Sequence, residues 1–189
     1  MSGGASLPVY KVGIVVVRPG SGAPEVLLVQ PEPDPAKSNY NPREEPPFVL
    51  PRGSRRAAVD GFFEDIRSDA DAQRLRRHTL EDCTETILRE AEEEAGVPRV
   101  LLEAGGLREL GVRDYTSSPE KPPVKVQWYV FPVSAEVAAQ FDPKPPEARE
   151  VRWVTLDAMR ELARQKKARP GYVAVVEEAL GLLAREDKQ

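Results

Sequence analysis

The chain has 189 residues, 40% of them apolar, and a formal net charge of −4. That length suits one core with some appended segments, and the acidic balance gives no general pull toward nucleic acid or an anionic membrane. No apolar run approaches membrane-spanning length, and Met1 to Ser6 lacks the charged and apolar parts of a secretion signal, so a cytoplasmic protein is expected.

Val9 to Val17 and Val26 to Gln30 read as strands joined by the turn-rich Arg18-Pro19-Gly20-Ser21-Gly22. Pro31 to Pro47 holds six prolines among polar residues, which excludes a regular core element and predicts a surface loop. Phe48-Val49-Leu50 reads as a short buried strand running into Pro51-Arg52-Gly53. Phe62 to Arg77 suggests one or two short helices anchored by Phe62, Phe63, Ile66 and Leu75. Arg55, Arg56, Arg67, Arg74, Arg76 and Arg77 of this region read first as solvent-facing groups paired with nearby acids. The alternative is a lid whose arginines hold phosphate, since guanidinium binds phosphate oxygens bidentately.

Residues 81–97 form the next predicted helix, with Thr79 and Asp82 arranged like a capping box and Gly96 and Pro98 as a C-terminal stop. Ordinary helix electrostatics argues against its composition. Glu92, Glu93 and Glu94 occupy the last turn, where the macrodipole favours cations, and Glu90 is a like-charge neighbour four before Glu94. Winding at 3.6 residues per turn brings Glu90, Glu93 and Glu94 to one side, beside an apolar arc of Ile87, Leu88, Ala91 and Ala95. Arg89 can reach Glu85 and Glu93, which leaves Glu90 and Glu94 without a cation from this helix. A divalent ion fits that vacancy, because clustered carboxylates are the hard ligands that Mg²⁺, Mn²⁺ and Ca²⁺ prefer.

Downstream, Leu107 to Tyr115 and Val124 to Val133 read as antiparallel strands around the Ser117 to Pro123 connection, and Glu150 to Val154 as a further strand. Leu156 to Gln165 and Tyr172 to Arg185 read as amphipathic helices split by Arg169-Pro170-Gly171. Cys83 and His78 are each the only residue of their kind. An intrachain disulfide, a three-histidine zinc site and a His-Glu-x-x-His site are thereby excluded.

Glu81, Arg89, Glu90, Ala91, Glu93, Glu94, Gly96 and Val97 together resemble the signature of the Nudix hydrolases, Gly-x5-Glu-x7-Arg-Glu-U-x-Glu-Glu-x-Gly-U with U aliphatic. Gly53 takes the place of the leading glycine, but 27 residues rather than five separate it from Glu81. One domain spanning 1–189 is expected, with an insertion at about 54–80 that loops out at small entropic cost if its ends stay close. The resemblance implies an α+β fold, a Nudix-type α/β/α sandwich with a mixed sheet. It also implies that Glu90, Glu93 and Glu94 bind Mg²⁺ or Mn²⁺ with help from the Gly53 carbonyl. Arg89 would orient a glutamate, Glu81 would support the loop and helix, and Glu147 would supply a further ligand or base. Arg52, held next to Gly53, is the expected phosphate contact.

Phosphoanhydrides carry anionic oxygens that repel nucleophiles, so their hydrolysis needs charge neutralisation, a positioned water and a base. The expected activity is Mg²⁺-dependent pyrophosphohydrolysis of a nucleoside diphosphate linked to another moiety. Tyr115 and the Arg152 to Ala158 and Arg169 to Tyr172 stretches resemble the branch acting on dinucleoside and diphosphoinositol polyphosphates, with Tyr115 as a base-stacking residue or a strand-packing one. Nucleoside triphosphates, ADP-ribose, inositol pyrophosphates and RNA 5′ ends stay open, as does a Nudix module that binds a nucleotide without cleaving it. The partner is a nucleotide-like small molecule, with nucleic acid disfavoured by net charge. No sequence feature sets an oligomeric state.

Overall fold

Val12 to Val17 is apolar at every position except Gly13, the pattern of a strand covered on both faces. In the computed structural model, which describes residues 9–33, 45–115, 124–142, 144–145 and 147–186, this segment is β1 (Lys11–Arg18), with Val12, Ile14, Val15 and Val16 all buried. It runs antiparallel to β2 (Glu25–Pro31) and parallel to a later strand.

β1 and β2 are paired only at Val17 with Val26 and Arg18 with Glu25, and the returning chain wedges into the gap beyond. Val49 bridges Val29, the Ile14 N–H donates to the Pro51 carbonyl at 3.0 Å, and β3 (Arg52–Ser54) pairs with Lys11 to Gly13. Gly53 is thus held in the plane of the main sheet.

Residues 54–80, expected as an insertion, have a structure of their own. β4 (Arg56–Val59) and β5 (Phe62–Asp65) form a hairpin closed by Asp60 and Gly61, both at positive φ, as a two-residue Asp-Gly turn requires. α1 (Asp69–Leu75) packs Ala72 and Leu75 against Ala57, Ile66 and Tyr10, and β6 (Thr79–Leu80) returns the chain to β4. The ends of the insertion therefore meet, with the Glu81 N–H donating to the Arg56 carbonyl at 2.7 Å.

Two expectations for this stretch are corrected. Phe62 and Phe63 lie in a strand, not a helix, and are 79% and 69% exposed, so only Ile66 and Leu75 act as anchors. The missed signal is Asp60-Gly61, which favours a hairpin over the helical period. Thr79 is a strand residue, so the acidic helix α2 (Cys83–Ala95) is capped by Asp82 alone, whose carboxylate accepts from the Thr84 N–H at 2.7 Å. Of the six arginines named for this region, Arg56, Arg67 and Arg74 pair with acids, in line with the first reading, while Arg55 donates to the Glu81 and Val9 carbonyls.

α2 ends at Gly96, at φ +65°, where a Cβ would lie 2.3 Å from the Asp142 carbonyl oxygen. After α3 (Arg99–Glu103), β7 (Arg108–Tyr115) and β8 (Val124–Pro132) form an antiparallel pair, with β8 beside β1. α4 (Ala135–Ala138) precedes β9 (Ala148–Thr155), which closes the order β7-β8-β1-β2-β9. α5 (Leu156–Arg164) and α6 (Gly171–Glu186) finish the described chain. α2 covers Val12, Ile14, Val16, Leu27 and Val29, while α5 and α6 cover Val15, Val17, Leu28 and Trp128 on the other face. The result is the expected α+β sandwich with a mixed sheet. Most of the proline-rich loop and the Ser117 to Pro123 connection lie outside the described residues.

A Cβ at Gly13 would sit 2.3 to 2.7 Å from three atoms of the fully buried Trp128 ring. Gly13→Ala is expected to lower stability by about 1–3 kcal/mol through overpacking, read as a fall in the urea midpoint. An unchanged midpoint would contradict this packing.

Candidate functional site

The wedge that places Gly53 in the sheet also sets it against α2. An ideal Cβ on residue 53 would fall 1.7 Å from Glu90 Cδ and about as close to both its oxygens, so only glycine lets this carboxylate in. Glu90 is consequently buried, at 8% exposure. Beside it, the Arg52 N–H donates to Glu94 Oε2 at 2.7 Å. The Pro51 to Gly53 turn and the acidic end of α2 are therefore one unit.

Arg89 ties this unit to the insertion's far end. Its Nη1 donates to Glu90 Oε1 and, at 3.3 Å, to Glu93 Oε2. Its Nη2 donates to the Ser54 carbonyl at 3.0 Å and to Glu81 Oε2 at 3.2 Å. Glu81 also accepts from Thr86 Oγ1 at 2.9 Å and the Arg56 N–H at 3.3 Å, so it braces both loop and helix. Burial disfavours the Arg89 charge, but Glu81 and Glu90 outweigh it and raise its pKa. Two sequence expectations change here. Arg89 does supply a cation to Glu90, and Glu85 pairs with Arg99 at 2.7 Å instead of with Arg89.

Glu147 arrives from the segment before β9. It is exposed, with its N–H donating to the Glu93 carbonyl at 3.2 Å. Its charge reaches the cluster: burial raises the Glu94 carboxyl to about 8, and Glu90 and Glu147 push in the same direction. Burial likewise raises Glu90, with Glu93 and Glu147 adding to the effect and Arg89 opposing it. Glu150, by contrast, pairs with Arg152 at 2.6 Å.

The residues next to Gly53 face the opposite way. The Arg52 guanidinium lies 4.6 Å from the centroid of Tyr115, which is buried and stacked on Tyr172 at 4.8 Å. Lys11, across the β1 to β3 pairing, donates to Ser54 Oγ, and burial, reinforced by Arg52, lowers its amine to about 8. Lys11 was not legible in the sequence, and Arg169 and Tyr172 were marked there only as part of a stretch resembling one branch, with no role assigned. Only the strand register and the entry of α6 bring them to Arg52.

Among the described residues, no three His, Cys, Asp or Glu side chains are gathered into a ready metal site. The donor chemistry nonetheless fits a hard divalent cation. Glu90, Glu93, Glu94 and the Gly53 carbonyl offer oxygen alone, and burial, with neighbouring acids adding to it, disfavours the charged form of Glu90 and Glu94, a form that a bound cation would stabilise.

Because the folded Glu94 pKa of about 8 exceeds its ordinary 4.5, its stabilising contribution is complete below pH 4.5 and is lost as pH rises toward 8. In EDTA, Glu94→Gln is expected to gain stability relative to the unmodified protein across that window, measured as the difference in urea midpoints. A difference independent of pH would contradict the burial of this charge.

A family model described as NUDIX domain matches residues 78–176, just over half of the chain, with Gly53 upstream of the matched segment. Among solved structures, the NUDIX domain of Shewanella oneidensis NrtR complexed with ADP ribose is similar at 17% identity, over 95% of this chain and 90% of that one, with a TM-score of 0.57. A C. elegans Ap4A hydrolase binary complex is similar at 18% identity, over 94% and 98%, with a TM-score of 0.52. A mutT/nudix family protein from Listeria innocua is similar at 16% identity, over 96% and 98%, with a TM-score of 0.53. No curated protein sequence matches the chain. At such identities the solved structures speak for the fold alone, whereas the family model takes in the whole acidic helix. On that match the chain belongs to the Nudix family and is a pyrophosphohydrolase.

Proposed function

We propose that the protein hydrolyses a phosphoanhydride bond in a nucleoside diphosphate linked to another moiety, with dinucleoside polyphosphates as the first substrate class and Mg²⁺ or Mn²⁺ as the metal. The observation that carries this reading is the seating of Glu90 against Gly53, with Glu94 bonded to the next residue back in the same turn. A purely structural acidic helix has no reason to bury its carboxylates there.

In this reading Glu90, Glu93, Glu94 and the Gly53 carbonyl hold the metal. Bound there, it neutralises phosphate oxygens and lowers the pKa of an attacking water. Arg89 fixes the orientation of Glu90 and Glu93 through its shared Nη1. A carboxylate of the cluster takes the water's proton. Glu147, exposed and adjacent to Glu93, is open to substrate or solvent and serves as a further ligand or base. Arg52 faces the phosphate chain. Tyr115, with its ring engaged by Tyr172 and Arg52, acts by presenting that guanidinium.

Two similar structures, named for Ap4A and for ADP ribose, concern a nucleoside diphosphate joined to a second group, which supports the substrate class. No described helix is long and apolar enough to cross a membrane. The nucleotide pool and Mg²⁺ of the cytoplasm suit this activity.

Glu93→Gln and Glu94→Gln are each expected to lower Mg²⁺-dependent product release by about a hundredfold or more, with the circular dichroism spectrum retained. A panel of dinucleoside polyphosphates, nucleoside triphosphates and ADP-ribose identifies the substrate. Undiminished turnover in both variants would remove α2 as the site, and tight binding of one nucleotide without hydrolysis by the unmodified protein would favour a sensing module.

A further inference from the structure

Elsewhere in this protein guanidinium groups are largely neutralised by carboxylates: Arg56 by Asp65, Arg99 by Glu85, Arg160 by Glu177. Among the described residues Arg52 and Arg169 depart from that pattern, as do Arg55, Arg76, Arg77 and Arg185, but Arg52 and Arg169 meet at one aromatic pair. Among the described residues neither guanidinium has a carboxylate within salt-bridge distance, and the side chain of Arg169 makes only a long 3.5 Å contact from Nη1 to Tyr115 Oη. Both converge on one pair of stacked tyrosines, since the Arg52 guanidinium lies 4.6 Å from the Tyr115 centroid and 6.0 Å from that of Tyr172.

The same cluster holds the buried side-chain polar atoms that lack a hydrogen-bond partner among the described residues, namely Trp128 Nε1, Arg169 Nε and Tyr172 Oη. Tyr172 is fully buried, and Trp128 meets its ring edge-on at 5.9 Å. Each orphaned atom can donate. A buried donor left unpaired is costly, so three in one cluster point to an acceptor-rich ligand. The surrounding charge is positive, with Lys11 diagonal to Arg52 across the β1 to β3 pairing. Side chains alternate along β3, so this cluster lies on the α6 side of the strand, while Gly53 faces Glu90 on the α2 side.

We infer that Arg52, Arg169 and Tyr172 form a second anion-binding subsite, which takes a phosphate of the substrate chain beyond the anhydride cleaved at the carboxylates. The inference rests on the hydrolase reading above and narrows its substrate class. Guanidinium groups match phosphate oxygens bidentately, and the tyrosine hydroxyl adds a donor that discriminates in favour of an acceptor. The Arg52 backbone is bonded to Glu94, so one residue spans both subsites. Chains of three or more phosphates engage both, whereas the diphosphate of ADP-ribose engages the carboxylate side alone.

Calorimetric titration of the full chain with inorganic tripolyphosphate in EDTA tests the subsite without requiring catalysis. Arg169→Gln is expected to weaken binding about tenfold or more, Tyr172→Phe to weaken it severalfold, and Arg169→Lys to recover part of the loss. With metal, the KM for diadenosine tetraphosphate rises in Arg169→Gln while kcat changes little, and ADP-ribose turnover, if present, is unaffected. Tripolyphosphate binding equal to that of the unmodified protein in both Arg169→Gln and folded Tyr172→Phe overturns the subsite, as does absence of binding by the unmodified protein. If instead Glu94→Gln retains full hydrolysis, the catalytic reading fails while these titrations still decide the subsite.

Discussion

Glu90 can occupy its position only because residue 53 has no side chain, and this contact organises the rest of the site. It requires β3 to lie in the sheet plane directly under α2, which in turn requires β1 and β2 to diverge after two paired residues. The chain from Val49 to Ser54 fills the resulting gap by backbone pairing on both sides. The proposed metal-binding turn is thereby built from strand hydrogen bonds, which hold geometry more tightly than a free loop would.

The energetic counterpart of that contact is Arg89. Several carboxylates gathered at a helix C-terminus repel one another and oppose the macrodipole. One guanidinium, shared among Glu81, Glu90, Glu93 and the Ser54 carbonyl, offsets part of this repulsion and locks the start of the insertion to the helix. Burial first, and the neighbouring acids second, still hold the pKa of Glu90 and Glu94 above the ordinary carboxylate value. The remaining charge is what a divalent cation would neutralise, so metal affinity and the instability of the empty cluster share one origin.

The helix, its Gly96 stop and the main strands were legible because each rests on local physics: apolar periodicity, a left-handed glycine and β-branched runs. The carboxylates on α2 were legible because spacing along one helix fixes which side chains share a face. Gly53 could be singled out across its 27-residue separation, but the reason for it could not, since the insertion's ends meet only through β4 and β6 pairing. The same insertion defeated the helical reading of Phe62 and Phe63, where a two-residue turn outweighed the apolar spacing. Arg169 and Tyr172 were marked in the sequence as one stretch resembling a polyphosphate-hydrolase branch, but nothing there ties them to Lys11 or Arg52. Their proximity to Arg52 is set by strand register and by where α6 begins, both non-local outcomes of packing.

The central claim is that the Gly53 turn and the acidic end of α2 jointly bind a divalent ion. Titrating ¹⁵N-labelled protein with substoichiometric Mn²⁺ tests it most directly, because the paramagnetic ion broadens nearby amide signals with steep distance dependence. The account predicts that Arg52, Gly53, Glu90, Glu93 and Glu94 lose intensity first and together, with Glu147 close behind. Broadening led by other surface acids, with Gly53 and Glu90 unaffected, would contradict it.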